Sequence, residues 1–301
     1  MTPPDPSAAG QRPATGLRHG AERLAATLPP LLAEAERLAS AVMLGAHGRR
    51  RAGRGDEFWQ YRAADPGDAA RDIDWRRSGR SDTHFVRERE WQAAQSVALW
   101  VDDGRSMDYS GDSRARPTKA ERARLLGLAL AVLLIRGGER VGLADGALPP
   151  RAGQVQLARL AQALSDASGE DYGRPVISGL PHHGRAVFLS DFLGDPAPVE
   201  AAVTAAAERG VRGAMVQILD PVEESFPFDG RTIFESMGGA LRHETLKAGE
   251  LRTRYLDRLA ERRDRLERLA RLTGWQFTPH HTDAPALGGL IWLYHALEGG
   301  R

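Results

Sequence analysis

Residues 97–106 read Val-Ala-Leu-Trp-Val-Asp-Asp-Gly-Arg-Ser, an apolar run that stops abruptly at a polar loop. Five consecutive apolar residues bounded by polar ones are typical of a strand that is buried on both faces. Helical patterns and further short apolar runs alternate after this stretch, which is the order expected of a parallel sheet covered by helices. The sequence therefore predicts an α/β fold with a doubly wound, mostly parallel sheet and helices on both faces.

The individual elements of this fold follow from periodicity and from capping signals. Thr118 and Glu121 form a capping-box pattern that opens a helix, and Gly137 with Gly138 closes it. The predicted strands cover residues 97–101, 141–144, 186–189, 213–219 and 275–281. The other predicted helices cover residues 155–164, 196–209, a long stretch after 246, and 287–297. Residues 222–246 break the alternation, and their aromatic and glycine pattern predicts a small β-hairpin insertion.

Three regions are expected along the chain. Residues 1–16 are predicted to be a disordered tail, and residues 17–94 an N-terminal helical and charged, aromatic extension. Within the extension, Pro29 and Pro30 are expected to separate two short helices. Residues 95–301 form the sheet domain, with the insertion at about 222–246.

Composition excludes several classes of protein. The 301 residues contain no cysteine, which rules out disulfides and thiolate chemistry and suits the cytoplasm. The formal net charge is +1, so no nucleic-acid partner is expected, and no apolar run is long enough for a membrane span. The sequence has neither a phosphate-binding Gly-x-x-x-x-Gly-Lys-Ser/Thr loop nor the common serine-hydrolase and zinc-protease motifs. These absences remove nucleotide hydrolysis by a phosphate-binding loop and the commonest serine-hydrolase and zinc-protease mechanisms.

Polar residues that follow the predicted strands mark the candidate site, because ligands of open α/β sheets bind outside the carboxyl ends of the strands. Asp102 and Ser106 follow the first strand, and Asp191 follows the central one. Two carboxylates and a hydroxyl on one face suit a hard cation such as Mg²⁺ or Mn²⁺. In the alternative interpretation, Asp102 and Asp191 only accept hydrogen bonds from loop amides.

A series of motifs resembles domain-of-unknown-function family fifty-eight. The motifs, in chain order, are Gly55-Asp56-Glu57-Phe58-Trp59, Asp65-Pro66-Gly67-Asp68, Arg71-Asp72-Ile73-Asp74-Trp75, Val86-Arg87-Glu88, Val101-Asp102, Ser106-Met107, Ser190-Asp191-Phe192 and Thr282-Asp283. The resemblance covers roughly residues 45 to 301. It implies a domain similar to von Willebrand factor A that acts as a non-catalytic partner of a MoxR-type AAA+ ATPase in the maturation or remodelling of a client protein.

The resemblance also implies a metal-ion-dependent adhesion site, but a degenerate one. Such sites use an Asp-x-Ser-x-Ser loop together with a Thr and an Asp from two further loops. Asp102, Ser106 and Asp191 match, whereas Gly104 replaces a serine ligand and the loop at 153–156 contains no threonine. Asp103 or Gln154 could compensate for these missing ligands by supplying an oxygen to the metal. A metal-dependent hydrolase that uses Asp102 and Asp191, and a metal-free scaffold, are the alternative functions.

The charged and aromatic segment before the sheet domain is a second candidate site. The residues expected to contact a partner there are Asp68, Arg71, Asp74, Trp75, Arg80 and Arg87. Arginine pairs with carboxylates and stacks on aromatic rings, so the segment could dock the ATPase. In the alternative interpretation, the same contacts only fasten the extension to the sheet domain.

Overall fold

The computed structural model describes residues 30–47, 58–64, 73–79, 83–89, 94–165, 170–236, 239 and 242–298. The helices are α1 (Pro30–His47), α2 (Trp75–Ser78), α3 (Lys119–Arg136), α4 (Gln154–Ala163), α5 (Pro196–Glu208), α6 (Pro221–Ser225), α7 (Ala248–Thr273) and α8 (Ala286–Glu298). The strands are β1 (Phe58–Ala63), β2 (Phe85–Arg89), β3 (Ser96–Val101), β4 (Arg140–Leu143), β5 (Arg185–Ser190), β6 (Arg212–Leu219), β7 (Thr232–Glu235), β8 (Arg242–Thr245) and β9 (Gln276–His281).

The central sheet has five strands in the order β4-β3-β5-β6-β9, and every neighbouring pair is parallel. These are the five strands that the sequence predicts. The chain steps from β3 outward to β4 and then returns to β5 on the other side, so the direction of winding reverses between β3 and β5. The carboxyl ends of these two strands therefore flank the point at which open α/β sheets bind ligands.

Helices cover both faces of the sheet, which confirms the doubly wound prediction. Alternate residues of a strand point to opposite faces. Accordingly, Val187 and Leu189 of β5 belong to the hydrophobic core shared with α1, α3, α4 and α8. Ala186 and Phe188 belong to the core shared with α5 and α7.

Helix α1 is part of the first core. Its buried residues Leu32, Ala35 and Ala39 pack in the same cluster as α3 and α8. The helix begins at Pro30, where proline is tolerated because the first amides of a helix have no intrahelical acceptor. The tail predicted for residues 1–16 and the helix predicted before Pro29 lie outside the described residues.

The predicted insertion contains an antiparallel hairpin, β7 paired with β8, in a register that matches Thr232 with Thr245. The hairpin is shorter than predicted, because the short helix α6 occupies residues 221–225. Asp220 and Glu223 form a capping box that starts this helix. No helix in the described part of the chain is long and apolar enough to cross a membrane.

Candidate functional site

Asp102 follows β3 directly and is almost completely buried. Its Oδ1 accepts hydrogen bonds from the amides of Gly104 (2.8 Å) and Gly173 (3.1 Å), and its Oδ2 accepts one from the Ser190 hydroxyl (2.5 Å). Burial, followed by the negative charge of Asp191, raises the pKa of Asp102 to about 6, although the bonds from Ser190 and Gly104 oppose the shift. Two of these donors are loop amides, as the loop-amide interpretation expects, and the third is the hydroxyl of Ser190.

Residues 170–173 close over the loop that follows β3. The amides of Arg105 and Ser106 donate to the carbonyl oxygens of Glu170 (2.9 Å) and Asp171 (2.8 Å). A Cβ atom at position 104 would lie 2.5 Å from the Gly173 nitrogen, closer than a side chain can approach. The serine that an adhesion site would carry at position 104 would therefore force the covering residues to move.

Asp191 follows β5, and its carboxylate binds an ammonium group. Lys119 Nζ lies 2.8 Å from Asp191 Oδ2 and 2.6 Å from Glu223 Oε1. The other oxygen of Asp191 accepts a hydrogen bond from the Leu193 amide at 3.0 Å. Side-chain exposure is 1% for both Lys119 and Asp191 and 13% for Glu223, so the ion pair is buried.

Local structure alone disfavours a lysine at position 119. Lys119 is the first residue of α3, after the Thr118 cap, and a positive charge at this end opposes the helix dipole. Burial also disfavours the charged form, but the carboxylates of Asp191 and Glu223 outweigh burial and hold the pKa of Lys119 above its usual value. The tertiary ion pair therefore compensates for an unfavourable local position.

A second ion pair lies at the end of β6. Arg116 donates to both carboxylate oxygens of Asp220, each at 3.3 Å, and the Thr282 hydroxyl donates to Oδ2 at 3.1 Å. Burial disfavours the charged form of Asp220, but hydrogen bonds from Val222, Gly111 and Thr282 and the charge of Arg116 keep its pKa below the usual value. Glu223 Oε2 accepts from the Asp220 amide at 2.8 Å, which links this pair to Lys119.

His280 belongs to the core and not to a chelating pair. Nη1 of the buried Arg122 lies 3.0 Å from His280 Nε2, and Nη2 donates to the Thr282 carbonyl at 2.8 Å. Arginine can only donate, so Nε2 must accept and the ring is neutral. Burial, followed by the charge of Arg122, lowers the pKa of His280 to about 4.

The structure brings Asp102, Ser106 and Asp191 to one end of the sheet, but it gives them partners other than a shared cation. Asp102 binds neutral donors, Asp191 binds Lys119, and the Ser106 hydroxyl oxygen is buried without a hydrogen-bond partner in the described region. Within the same region, no group of three or more histidine, aspartate or glutamate residues could hold a metal ion. The donor set does not fit the predicted Mg²⁺ or Mn²⁺.

The loop that would have to replace the missing threonine faces elsewhere. The Gln156 amide is buried against β4, where it donates to the carbonyl of Val141 at 2.8 Å, and Gln154 is exposed. The side chain of Gln156 is therefore committed to β4 and not to the strand-end carboxylates. Residues 170–173, which the sequence did not single out, reach Asp102 instead.

Part of the predicted docking segment is described. Asp74 precedes α2 and is half-buried, and Trp75 is 57% exposed, with its ring in a T-shaped contact with His84 at a centroid distance of 5.4 Å. Arg87 lies in β2, which pairs with β1. Asp68, Arg71 and Arg80 lie outside the described residues.

Sequence reasoning missed Lys119 and Glu223, although the sequence contains a signal for each. Only two of the 41 basic residues are lysines, so a lysine at the start of a helix is unusual in this chain. A lysine ammonium is a compact charge with three donors, which suits contact with two separate carboxylates. The spacing of Asp220 and Glu223 is that of a capping box, which predicts a helix immediately after β6.

Comparisons with known proteins identify a family for the chain. A model of the family "Protein of unknown function DUF58" matches residues 60–265. Uncharacterized proteins from Mycobacterium tuberculosis and Mycobacterium bovis are each 26% identical over 284 residues, 89% of this chain and 88% of the relative. The crystal structure of conserved hypothetical protein BatB from Bacteroides thetaiotaomicron is 12% identical, with a TM-score of 0.38, over 68% of this chain and 98% of that one. That similarity is too low to carry an argument.

Proposed function

The chain belongs to the DUF58 family of proteins of unknown function, and we propose that it is a non-catalytic adaptor that binds other proteins. The resemblance of the sequence motifs implies a domain similar to von Willebrand factor A and a MoxR-type AAA+ ATPase as the partner. In this proposal the ATPase uses ATP, and the adaptor connects it to a client protein in the cytoplasm. The absence of cysteine suits that reducing compartment.

The observation that carries the non-catalytic proposal is the burial and pairing of the charged groups at the strand ends. Asp102, Lys119 and Asp191 are at most 2% exposed, and Asp191 and Glu223 are both bound to the Lys119 ammonium. A general base or nucleophile must reach its substrate within hydrogen-bond distance. Groups held in a buried ion pair do not have that access.

The alternative of a metal-dependent hydrolase lacks comparable support. In that mechanism Asp102 and Asp191 would hold a metal that activates water. The oxygens of Asp102 accept hydrogen bonds from Gly104, Gly173 and Ser190, and Asp191 is neutralised by Lys119. These contacts favour a structural role for both carboxylates.

Within the described residues, Trp75 is the strongest candidate for a docking contact. It lies at the start of α2, in the segment predicted to bind a partner, and 57% of its surface is exposed. Exposed tryptophans are enriched among the residues that contribute most to protein interfaces. Because the side chain is largely in solvent, its removal should leave the fold intact.

The proposal is tested by measuring the affinity of the purified protein for the MoxR-type ATPase of its own organism, with ATP analogue, with ADP and without nucleotide. We expect binding in at least one nucleotide state, and we expect Trp75→Ala to weaken it about 30-fold, the effect of a residue worth about 2 kcal/mol.

Leu272→Ala is the matched control, because Leu272 is an apolar residue of α7 with 80% of its surface exposed. We expect this variant to bind the ATPase as the wild type does. Failure to bind the ATPase in all three nucleotide states would overturn the adaptor proposal. Equal weakening by both substitutions would overturn the assignment of Trp75.

A further inference from the structure

Three carboxylates lie at the ends of three strands, and two of them contact the same lysine. Asp102 follows β3, Asp191 follows β5, and Glu223 lies in α6 just after β6. Lys119 Nζ contacts Asp191 and Glu223 at 2.8 Å and 2.6 Å, and it lies 5.6 Å from the centre of the Tyr109 ring. The ammonium is thus held by carboxylate oxygens and by the electron-rich face of an aromatic ring.

We infer that Lys119 is a built-in replacement for a divalent cation, so that the strand-end site is complete without a metal ion. The inference does not depend on the adaptor proposal, because it concerns only the charge balance of buried residues. It assigns the ammonium a defined role, which is to place a positive charge between the carboxylates of Asp191 and Glu223, where an external cation would otherwise be needed.

The contacts around Asp191 support this role. One oxygen binds Lys119 and the other binds the Leu193 amide, so the carboxylate is held on both sides. Lys119 enters from the first turn of α3, and the Thr118–Glu121 capping box fixes that turn. A divalent cation on Asp191 would meet the positive charge of Lys119 with almost no solvent to screen it.

The packing at Gly104 also disfavours a metal site. A serine ligand at position 104 would clash with the backbone of Gly173, and the Gly173 amide donates to Asp102. A serine oxygen is thus disfavoured beside Asp102, and an ammonium binds the other strand-end aspartate, Asp191. The disfavoured serine and the bound ammonium both indicate that the carboxylates at the strand ends are held without a metal ion.

The inference predicts that removal of the ammonium, with the carboxylates left in place, opens a cation site. Lys119→Ala leaves Asp191 and Glu223 facing the volume of the missing side chain, into which water and Mn²⁺ can enter. The experiment titrates Mn²⁺ into the wild type and the variant and measures bound metal by electron paramagnetic resonance. We expect only weak, non-specific binding by the wild type and binding of one Mn²⁺ at least about tenfold tighter by the variant, since ligand charge sets cation affinity.

Two further variants separate a specific site from general effects. Lys119→Ala combined with Asp191→Asn should lose the gained binding, because one of the carboxylates is neutralised. Lys247→Ala removes the other lysine of the chain, which pairs with Glu250 on the surface, and should bind no more Mn²⁺ than the wild type.

If Lys119→Ala does not fold, a measurement on the wild type still tests the inference. We expect its melting temperature to be the same in chelator and in Mn²⁺. Specific Mn²⁺ binding by the wild type that is lost in Asp102→Ala would overturn the inference. A folded Lys119→Ala variant that binds no Mn²⁺ would overturn it as well.

Discussion

The ammonium nitrogen of Lys119 lies 2.8 Å from Oδ2 of Asp191, and each side chain is only 1% exposed. A buried ion pair costs desolvation on both sides, so its removal as a pair can be nearly neutral, whereas removal of one partner leaves a buried charge without compensation. The protein should therefore lose stability when either Lys119 or Asp191 is replaced alone.

Substitution of Lys119 by methionine tests this sensitivity, because methionine keeps an apolar stem and removes the charge. We expect a loss of about 3 to 5 kcal/mol in the free energy of unfolding, measured by urea denaturation at neutral pH. Lys247→Met is the control, since the Lys247 side chain is 72% exposed and surface substitutions change stability by about 0.5 kcal/mol or less. Similar small losses for both variants would contradict the prediction.

The two aspartates at the strand ends should differ in how much their negative charge contributes to the free energy of unfolding. Asp191 pairs with Lys119, whereas the described donors to Asp102 are two amides and a hydroxyl. We expect Asp191→Asn to cost about 3 kcal/mol and Asp102→Asn about 1 kcal/mol at neutral pH, because only the first leaves a buried cation underpaired. Thermal and urea unfolding measure both values, and the reverse order would refute the assignment of roles.

Restoration of the missing serine should destabilise the protein. In Gly104→Ser the new Cβ would meet the Gly173 nitrogen at 2.5 Å, so the covering segment at 170–173 must shift. We expect a loss of about 1 to 3 kcal/mol, the usual cost of overpacking. Gly288→Ser is the control, because a Cβ atom at position 288 has no neighbour within 4 Å. Hydrogen exchange at residues 170–173 should rise in the first variant and stay unchanged in the second.

The neutral His280 should make the protein sensitive to acid. Its pKa is about 4 in the folded state, below the ordinary value of 6.5, so the unfolded chain takes up the proton first. Its contribution to stability is therefore present above pH 6.5 and is lost as the pH falls towards 4. The full loss is about 3 kcal/mol, because each tenfold difference in proton affinity between the folded and unfolded chain corresponds to about 1.4 kcal/mol.

A variant separates His280 from other acid-sensitive groups. His280→Gln can offer an amide oxygen to Arg122 and has no proton to gain between pH 6.5 and 4. We expect the free energy of unfolding of this variant to fall less steeply with pH across that window than that of the wild type. Parallel pH profiles would show that His280 does not titrate as described.

The sequence predicts the sheet well because its strands are buried on both faces and their helices carry clear end signals. All five central strands, the Thr118 capping box and the hairpin at 232–245 are found in the structure. The positions of Asp102 and Asp191 at the strand ends follow from that pattern. What they bind does not, since a contact such as Lys119 with Asp191 joins residues 72 positions apart.

The covering segment could not be predicted for a similar reason. Residues 170–173 show no helix or strand periodicity, and their contact with Asp102 depends on two glycines, Gly104 and Gly173, that allow the backbones to approach closely. In the sequence these glycines indicate only loops. Their role becomes visible when the distance between them is known.

The packing of α1 against α8 has a consequence for synthesis. Leu32 and Ala35 share one hydrophobic cluster with Leu290 and Leu293, so residues far apart in the sequence complete the same core. A ribosome makes the first of these helices long before the last, and contacts between distant parts of a chain form slowly. The apolar surface of α1 that contacts α8 therefore stays uncovered by α8 until that helix has been synthesised, whereas α3, which is made much earlier, can cover the rest of that side.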